Sequence, residues 1–289
     1  MLAVLFGALA GAAFGLLMLL VRRGLGRGVD AYAGAVAMLA VATTAAALLA
    51  IPSFAGGGFA ASDLWPFAIA GIVAPGAAQI ILIMAVRDAG PSRAAILIGT
   101  APLISVGIAL TILDEPFRPW LVAGTVLVVA GGAMLALERA RPEHFRALGA
   151  LLALLCAVLF AIRDNVARWA ARDTHPPGLA AATVALGAAL AVVAAYVLVT
   201  RRRALSRIRP ALSAFAPAGV AVGLGYSSLL LAFDHGRVSI VAPLNATQSL
   251  WAVVFSALLL GRHHEMISRR LVTAGLLVVA GSSVIGIVR

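Results

Sequence analysis

Ten runs of roughly twenty apolar residues, each bounded by a short polar connector, occupy nearly all of the chain: 2–21, 31–51, 64–86, 94–113, 119–137, 147–168, 178–199, 211–233, 238–260 and 271–288. At 1.5 Å per residue, a helix of that length crosses a hydrocarbon layer about 30 Å thick. The runs are continuously apolar and lack the alternation of a membrane β-barrel. The pattern therefore predicts an all-α integral membrane protein with ten transmembrane helices, whose first partner is the lipid bilayer.

Composition agrees with that pattern. Hydrophobic residues make up 63% of the chain and charged residues 11%, with a mean hydropathy of +1.07. A water-soluble domain carries about twice that share of charge. A formal net charge of +11 would suggest nucleic acid in a soluble protein, but here the charges lie in the connectors and no nucleic-acid partner is expected. They report topology instead. Sixteen of the twenty-two basic residues, all arginines, fall in odd-numbered connectors, with Arg22, Arg23 and Arg27 in the first and Arg201, Arg202 and Arg203 in the seventh. The even connectors and the C-terminus hold only Arg118, Arg168, Arg172, Arg237 and Arg289. The positive-inside rule then puts the odd connectors in the cytoplasm and both termini outside, in the periplasm of a bacterial inner membrane.

Several chemistries are excluded by what the chain lacks. The first run starts at Leu2 with no basic residue ahead of it, so a retained helix is expected rather than a cleaved signal. Cys156 is the only cysteine, which removes disulfides and cysteine metal sites. The chain has no lysine, hence no P-loop lysine and no Schiff base for a cofactor. His263, His264 and Glu265 form the only cluster of metal-ligating types, and adjacent helical residues do not share a ligand position. Neither a metal, a cofactor nor an enzymatic activity is expected.

The chain also repeats itself. At an offset of 147, Gly76, Ala85, Ser92, Ala95, Thr100 and Leu103 meet Gly223, Ala232, Ser239, Ala242, Thr247 and Leu250. At an offset of 150, the run from Leu127 to Gly131 meets the identical run from Leu277 to Gly281. Phe14 and Arg22 meet Phe160 and Arg168 at 146. The halves are 1–140 and 141–289, each with five helices. An odd number inverts the second copy in the membrane, which is the arrangement of alternating-access carriers.

Two five-helix halves, each ending in a Leu-Val-Val-Ala-Gly helix that follows a short charged turn such as Asp114-Glu115-Pro116, resemble the EamA family of the drug/metabolite transporter superfamily over the whole chain. Glu115 matches the glutamate that members often carry after the fourth helix, whereas Arg262-His263-His264-Glu265 stands after the ninth. The resemblance implies a secondary transporter of small metabolites, most often an amino-acid exporter, with helices five and ten at the periphery. It also implies cytoplasmic termini, opposite to the arginine count. Cationic-drug relatives use a glutamate in helix one, and this chain has only Gly11, Phe14, Gly15 and apolar neighbours there.

Candidate substrate-binding residues follow from polarity at membrane depth. Asn245, Gln248, Ser249 and Ser256 fall at spacings of three, four and seven and hence share one helix face, with Trp251 near the depth of Ser249. Gln79 follows Pro75-Gly76 by one turn, and Tyr226 is its repeat equivalent. Gly7, Gly11 and Gly15 mark a close helix contact. Arg163 and Asp164 can bind a zwitterion's charges or carry a coupling proton, or can continue their helix through the headgroups by snorkelling. The function expected is export of small neutral or zwitterionic metabolites, amino acids first. Carriers of drugs, nucleosides or lipid-linked sugars, a passive channel and an intramembrane enzyme are the alternatives.

Overall fold

The computed structural model describes residues 1–89, 94, 97–138, 147–260 and 269–287, and every described element is helical. The elements are α1 (Leu2–Leu25), α2 (Ala31–Gly56), α3 (Trp65–Gly71), α4 (Ala78–Ala89), α5 (Ala101–Thr111), α6 (Pro119–Glu138) and α7 (Ala147–Asp173). After them come α8 (Gly178–Thr200), the single turn α9 (Arg202–Leu205), α10 (Ile208–His235), α11 (Val238–Asn245), α12 (Gln248–Leu260) and α13 (Arg269–Ile287). Among the described residues, six helical stretches are long and apolar enough to cross a membrane: α1, α2, Ala61–Ala85, α7, α8 and α10. Ala101–Thr111, Pro119–Met134 and Thr273–Ser282 are shorter apolar helices.

Three of the expected continuous spans are broken. Span three passes through a π-helical stretch, Ile72–Ala77, where Ala74 leaves helical geometry with φ −152° and ψ 127°. Pro75 has no N–H to continue the ladder. Spans four and nine turn at Gly99-Thr100 and Ala246-Thr247, positions 147 residues apart. Each threonine hydroxyl donates to the carbonyl three residues back, Thr100 to Leu97 at 2.6 Å and Thr247 to Leu244 at 2.7 Å. Such side-chain bonds compete with the helical ladder, which explains why two spans with prolines at different positions break at the same one.

Contacts between the halves come in matched pairs. α1 packs on α10, and α7 packs on α3 and α4. α2 lies against α10 as α8 lies against α3, while α2 meets α8, α5 meets α11 and α6 meets α13. Small residues allow this closeness, as expected where lipid supplies no hydrophobic drive between helices. A Cβ at Gly219 would stand 2.7 Å from the Met38 carbonyl oxygen of α2, and one at Gly223 would stand 2.8 Å from that of Ala42. The α1 glycines meet the opposite half in the same way, Gly11 at Thr247 and Gly15 at Trp251.

Polar contacts near the helix ends sort by parity. Arg23 reaches the Leu259 carbonyl at 3.4 Å, and the Arg201 guanidinium lies 5.4 Å from the Tyr32 ring, joining connectors one, seven and nine. At the other end Thr174 donates to the Asp63 carbonyl at 3.2 Å, and the Gly178 N–H donates to Asp234 at 2.9 Å. Trp65 and Trp169 meet edge to face at 6.3 Å on that same end. Bulky side chains such as Leu151, Ile112, Trp120 and Leu258 are exposed around the bundle, the outer surface that lipid requires.

Candidate functional site

The densest polar cluster sits where α7 crosses α4, α5 and α10. α7 carries bulky residues at 148, 151, 155, 158, 162 and 169, all exposed, on one face, and alanines on the other. Arg163 and Asp164 fall on the small-residue face and are buried, 5% and 4% exposed. Arg163 Nε and Nη2 both approach Asp164 Oδ1, at 2.9 Å and 2.6 Å. Asp164 Oδ2 accepts from Ser105 Oγ of α5 at 3.1 Å. The guanidinium lies 5.2 Å from the Phe160 ring and 5.7 Å from the Tyr226 ring, so two aromatic faces cover it.

Tyr226 ties the cluster to the break in span three. Its hydroxyl donates to the Ala74 carbonyl at 3.1 Å. That carbonyl is available because the chain leaves helical geometry at Ala74 and the Ala78 N–H turns to Val73 and Pro75. Asn165, 5% exposed, donates through Nδ2 to the carbonyls of Ala161 at 2.9 Å and Ser105 at 3.1 Å, and its Oδ1 is buried with no partner among the described residues. A buried acceptor without a partner is costly.

The remaining candidates do not join this cluster. Gln79 is half-buried at the start of α4. Because span nine breaks at Ala246-Thr247, Asn245 ends α11, Gln248 begins α12, and the single polar face expected there is interrupted. Asn245 Oδ1 is buried and unpaired among the described residues. Ser249 turns toward α6, where a Cβ at Gly132 would lie 3.3 Å from its hydroxyl. Trp251 packs on Gly15 of α1 and stacks on Phe255 at 5.7 Å. Ser105, Phe160 and Asn165 were not singled out from sequence. The periodic bulky face of α7 was the signal for Asn165 and Phe160, since it fixes which side of that helix leaves the lipid. His263, His264 and Glu265 lie outside the described residues, and no cluster able to hold a metal occurs among those described.

Glu115 links the halves near the even-connector end. Its carboxylate accepts from the N–H groups of Val238 at 2.8 Å and Ser239 at 3.1 Å, capping the first turn of α11 from the opposite half. Beside it opens a cleft of about 240 Å³ bordered by Arg168, Arg172 and Arg237. A second cleft of about 300 Å³ shares Arg237 and adds Arg118. Glu115→Ala is expected to remove about 1 kcal/mol, the usual worth of an N-cap. Thermal denaturation followed through alkylation of Cys156 checks this, and a melting curve that superimposes on that of the parent protein would show the cap to be idle.

A bundle with an apolar exterior, spanning-length helices and a charged, hydrogen-bonded core is a multi-pass membrane protein. Residues 1–137 and 147–287 each match the EamA-like transporter family, and the chain belongs to that family of membrane transporters. No curated protein matches the chain. One protein of known crystal structure is 22% identical and superimposes with a TM-score of 0.81 over 99% of this chain and 97% of its own, so the fold is shared.

Proposed function

We propose that the protein is a secondary-active exporter of small neutral or zwitterionic metabolites, amino acids first, working by alternating access. The observation that carries this reading is the Arg163–Asp164 pair. It places a guanidinium and a carboxylate side by side in the bundle interior, among helices drawn from both halves. Those two groups match the carboxylate and ammonium of an amino acid, and charged groups inside a membrane are costly enough that they are retained for function. Phe160 and Tyr226 supply aromatic walls beside them.

The paired contacts between the halves support ten crossings in two inverted repeats, 1–140 and 141–289, whose rocking exposes the site to each side in turn. The breaks in spans three, four and nine are where such helices can flex. In a bacterial inner membrane the arginine-rich end faces the cytoplasm, and both termini, with the two arginine-lined clefts, face the periplasm.

Counterflow tests the reading. Proteoliposomes preloaded with unlabelled amino acids should accumulate the labelled species with saturable kinetics. Tyr226→Ala and Asn245→Ala should lower the rate at least several-fold while the protein stays folded. Absence of saturable counterflow for every amino acid would sink the amino-acid reading, and flux that neither saturates nor accelerates on exchange would make the protein a pore.

A further inference from the structure

The two charges at the centre neutralise each other, and that pairing says how a carrier built on them resets. Two guanidinium nitrogens, Nε and Nη2, converge on Oδ1 of Asp164, and Ser105 donates to Oδ2. Neither charge faces open solvent, the two residues being 5% and 4% exposed. The pair is therefore neutral as a unit, and nothing from outside is needed to make it so. A carrier whose site keeps an uncompensated charge when empty is trapped, because turning the bundle would carry that charge through low dielectric.

We infer that Asp164 is the resting counter-ion of Arg163, standing where a substrate carboxylate binds, so that the empty carrier reorients freely and the protein performs net transport rather than obligatory exchange. This rests on the proposed amino-acid site and deepens it. A zwitterion splits the pair: its carboxylate takes Arg163 and its ammonium takes Asp164, so loaded and empty forms both bury zero net charge. A solute with only one of the two groups satisfies one partner and strands the other. The same geometry thus selects zwitterions against solutes bearing a single charge. The Oδ1 of Asn165, one residue along from Asp164 and without a partner among the described residues, is a further acceptor for the ammonium. Phe160 and Tyr226 hold the guanidinium in place while its partner changes.

The experiment compares two fluxes in proteoliposomes, with L-leucine as first probe and any other amino acid that supports counterflow in its place. Efflux into amino-acid-free buffer should run within tenfold of efflux into buffer containing the same amino acid. Uptake of L-leucine should exceed that of N-acetyl-L-leucine, which keeps only the carboxylate, and of L-leucinamide, which keeps only the ammonium, by tenfold or more. Asp164→Asn should raise the ratio of exchange to net efflux at least tenfold, because the empty variant carries an unmatched arginine, and should turn selectivity toward N-acetyl-L-leucine. If that variant does not fold, the ratio of exchange to net efflux in the parent protein decides the inference by itself.

A parent protein whose exchange outruns net efflux by more than tenfold overturns the inference while leaving the amino-acid reading intact. So does a ratio unchanged in Asp164→Asn. Absence of transport for any amino acid instead removes the underlying reading, and the two failures are told apart by the parent protein alone.

Discussion

Arg163→Ala is expected to abolish saturable transport and to destabilise the protein by about 3–5 kcal/mol, the cost of leaving one partner of a buried ion pair unmatched. Asp164 would keep a single hydrogen bond from Ser105 in a site closed to water. The complementary double variant, Arg163→Met with Asp164→Leu, removes both charges and is expected to return to within about 1 kcal/mol of the parent, since apolar pairs of similar size replace buried ion pairs at little cost. It should still not transport amino acids. The two variants together separate architecture from recognition. Cys156 is the only cysteine in the sequence and is fully buried, so a thiol-reactive fluorophore reports unfolding directly as the temperature rises. An Arg163→Ala melting curve identical to the parent's would show the pair to be energetically unimportant.

The second large effect concerns a crossing of two backbones. Gly71, at the end of α3, lies against the main chain of α8, so that a Cβ there would collide with the Ala185 carbonyl group. Backbone cannot move aside as a flexible side chain does. Gly71→Ala is therefore expected to lose about 3 kcal/mol, the upper part of the usual range for overpacking. Gly107→Ala, on α5, is the matched control, because a Cβ there meets nothing within 4 Å. It should be neutral or slightly stabilising, as an alanine gained in an open helical position generally is. Equal melting behaviour of the two variants would show that α3 and α8 separate more easily than their contact implies.

The sequence carried the apolar lengths, the repeat and the family resemblance in plain form, because hydropathy and spacing are one-dimensional properties. The match of Thr100 with Thr247 was visible too, but not that both threonines turn their helices, since a hydroxyl bonding backward looks the same in sequence as one facing a neighbour. The span-nine candidates show this directly: Asn245, Gln248 and Ser249 share a face only in an unbroken helix. Arg163 and Asp164 stand out in the sequence as charges within a span, whereas their orientation does not. Their place after a sixteen-residue apolar stretch fits a headgroup position as well as an interior one. Only the outward face set by Leu148, Leu151, Leu155, Val158 and Ile162 distinguishes the two, and it has to be read as a pattern of size rather than of polarity. Ser105 had no such signal, because its role depends on which helix α5 meets.

The π-helical stretch after α3 divides one crossing between two masters. Residues before it pack chiefly on α8, those after it on α7. The stretch between those two contacts, Ile72–Ala77, is only six residues long. The Ala74 carbonyl inside it is gripped by the same tyrosine whose ring covers Arg163. A single phenol side chain thereby ties the charged core to that stretch.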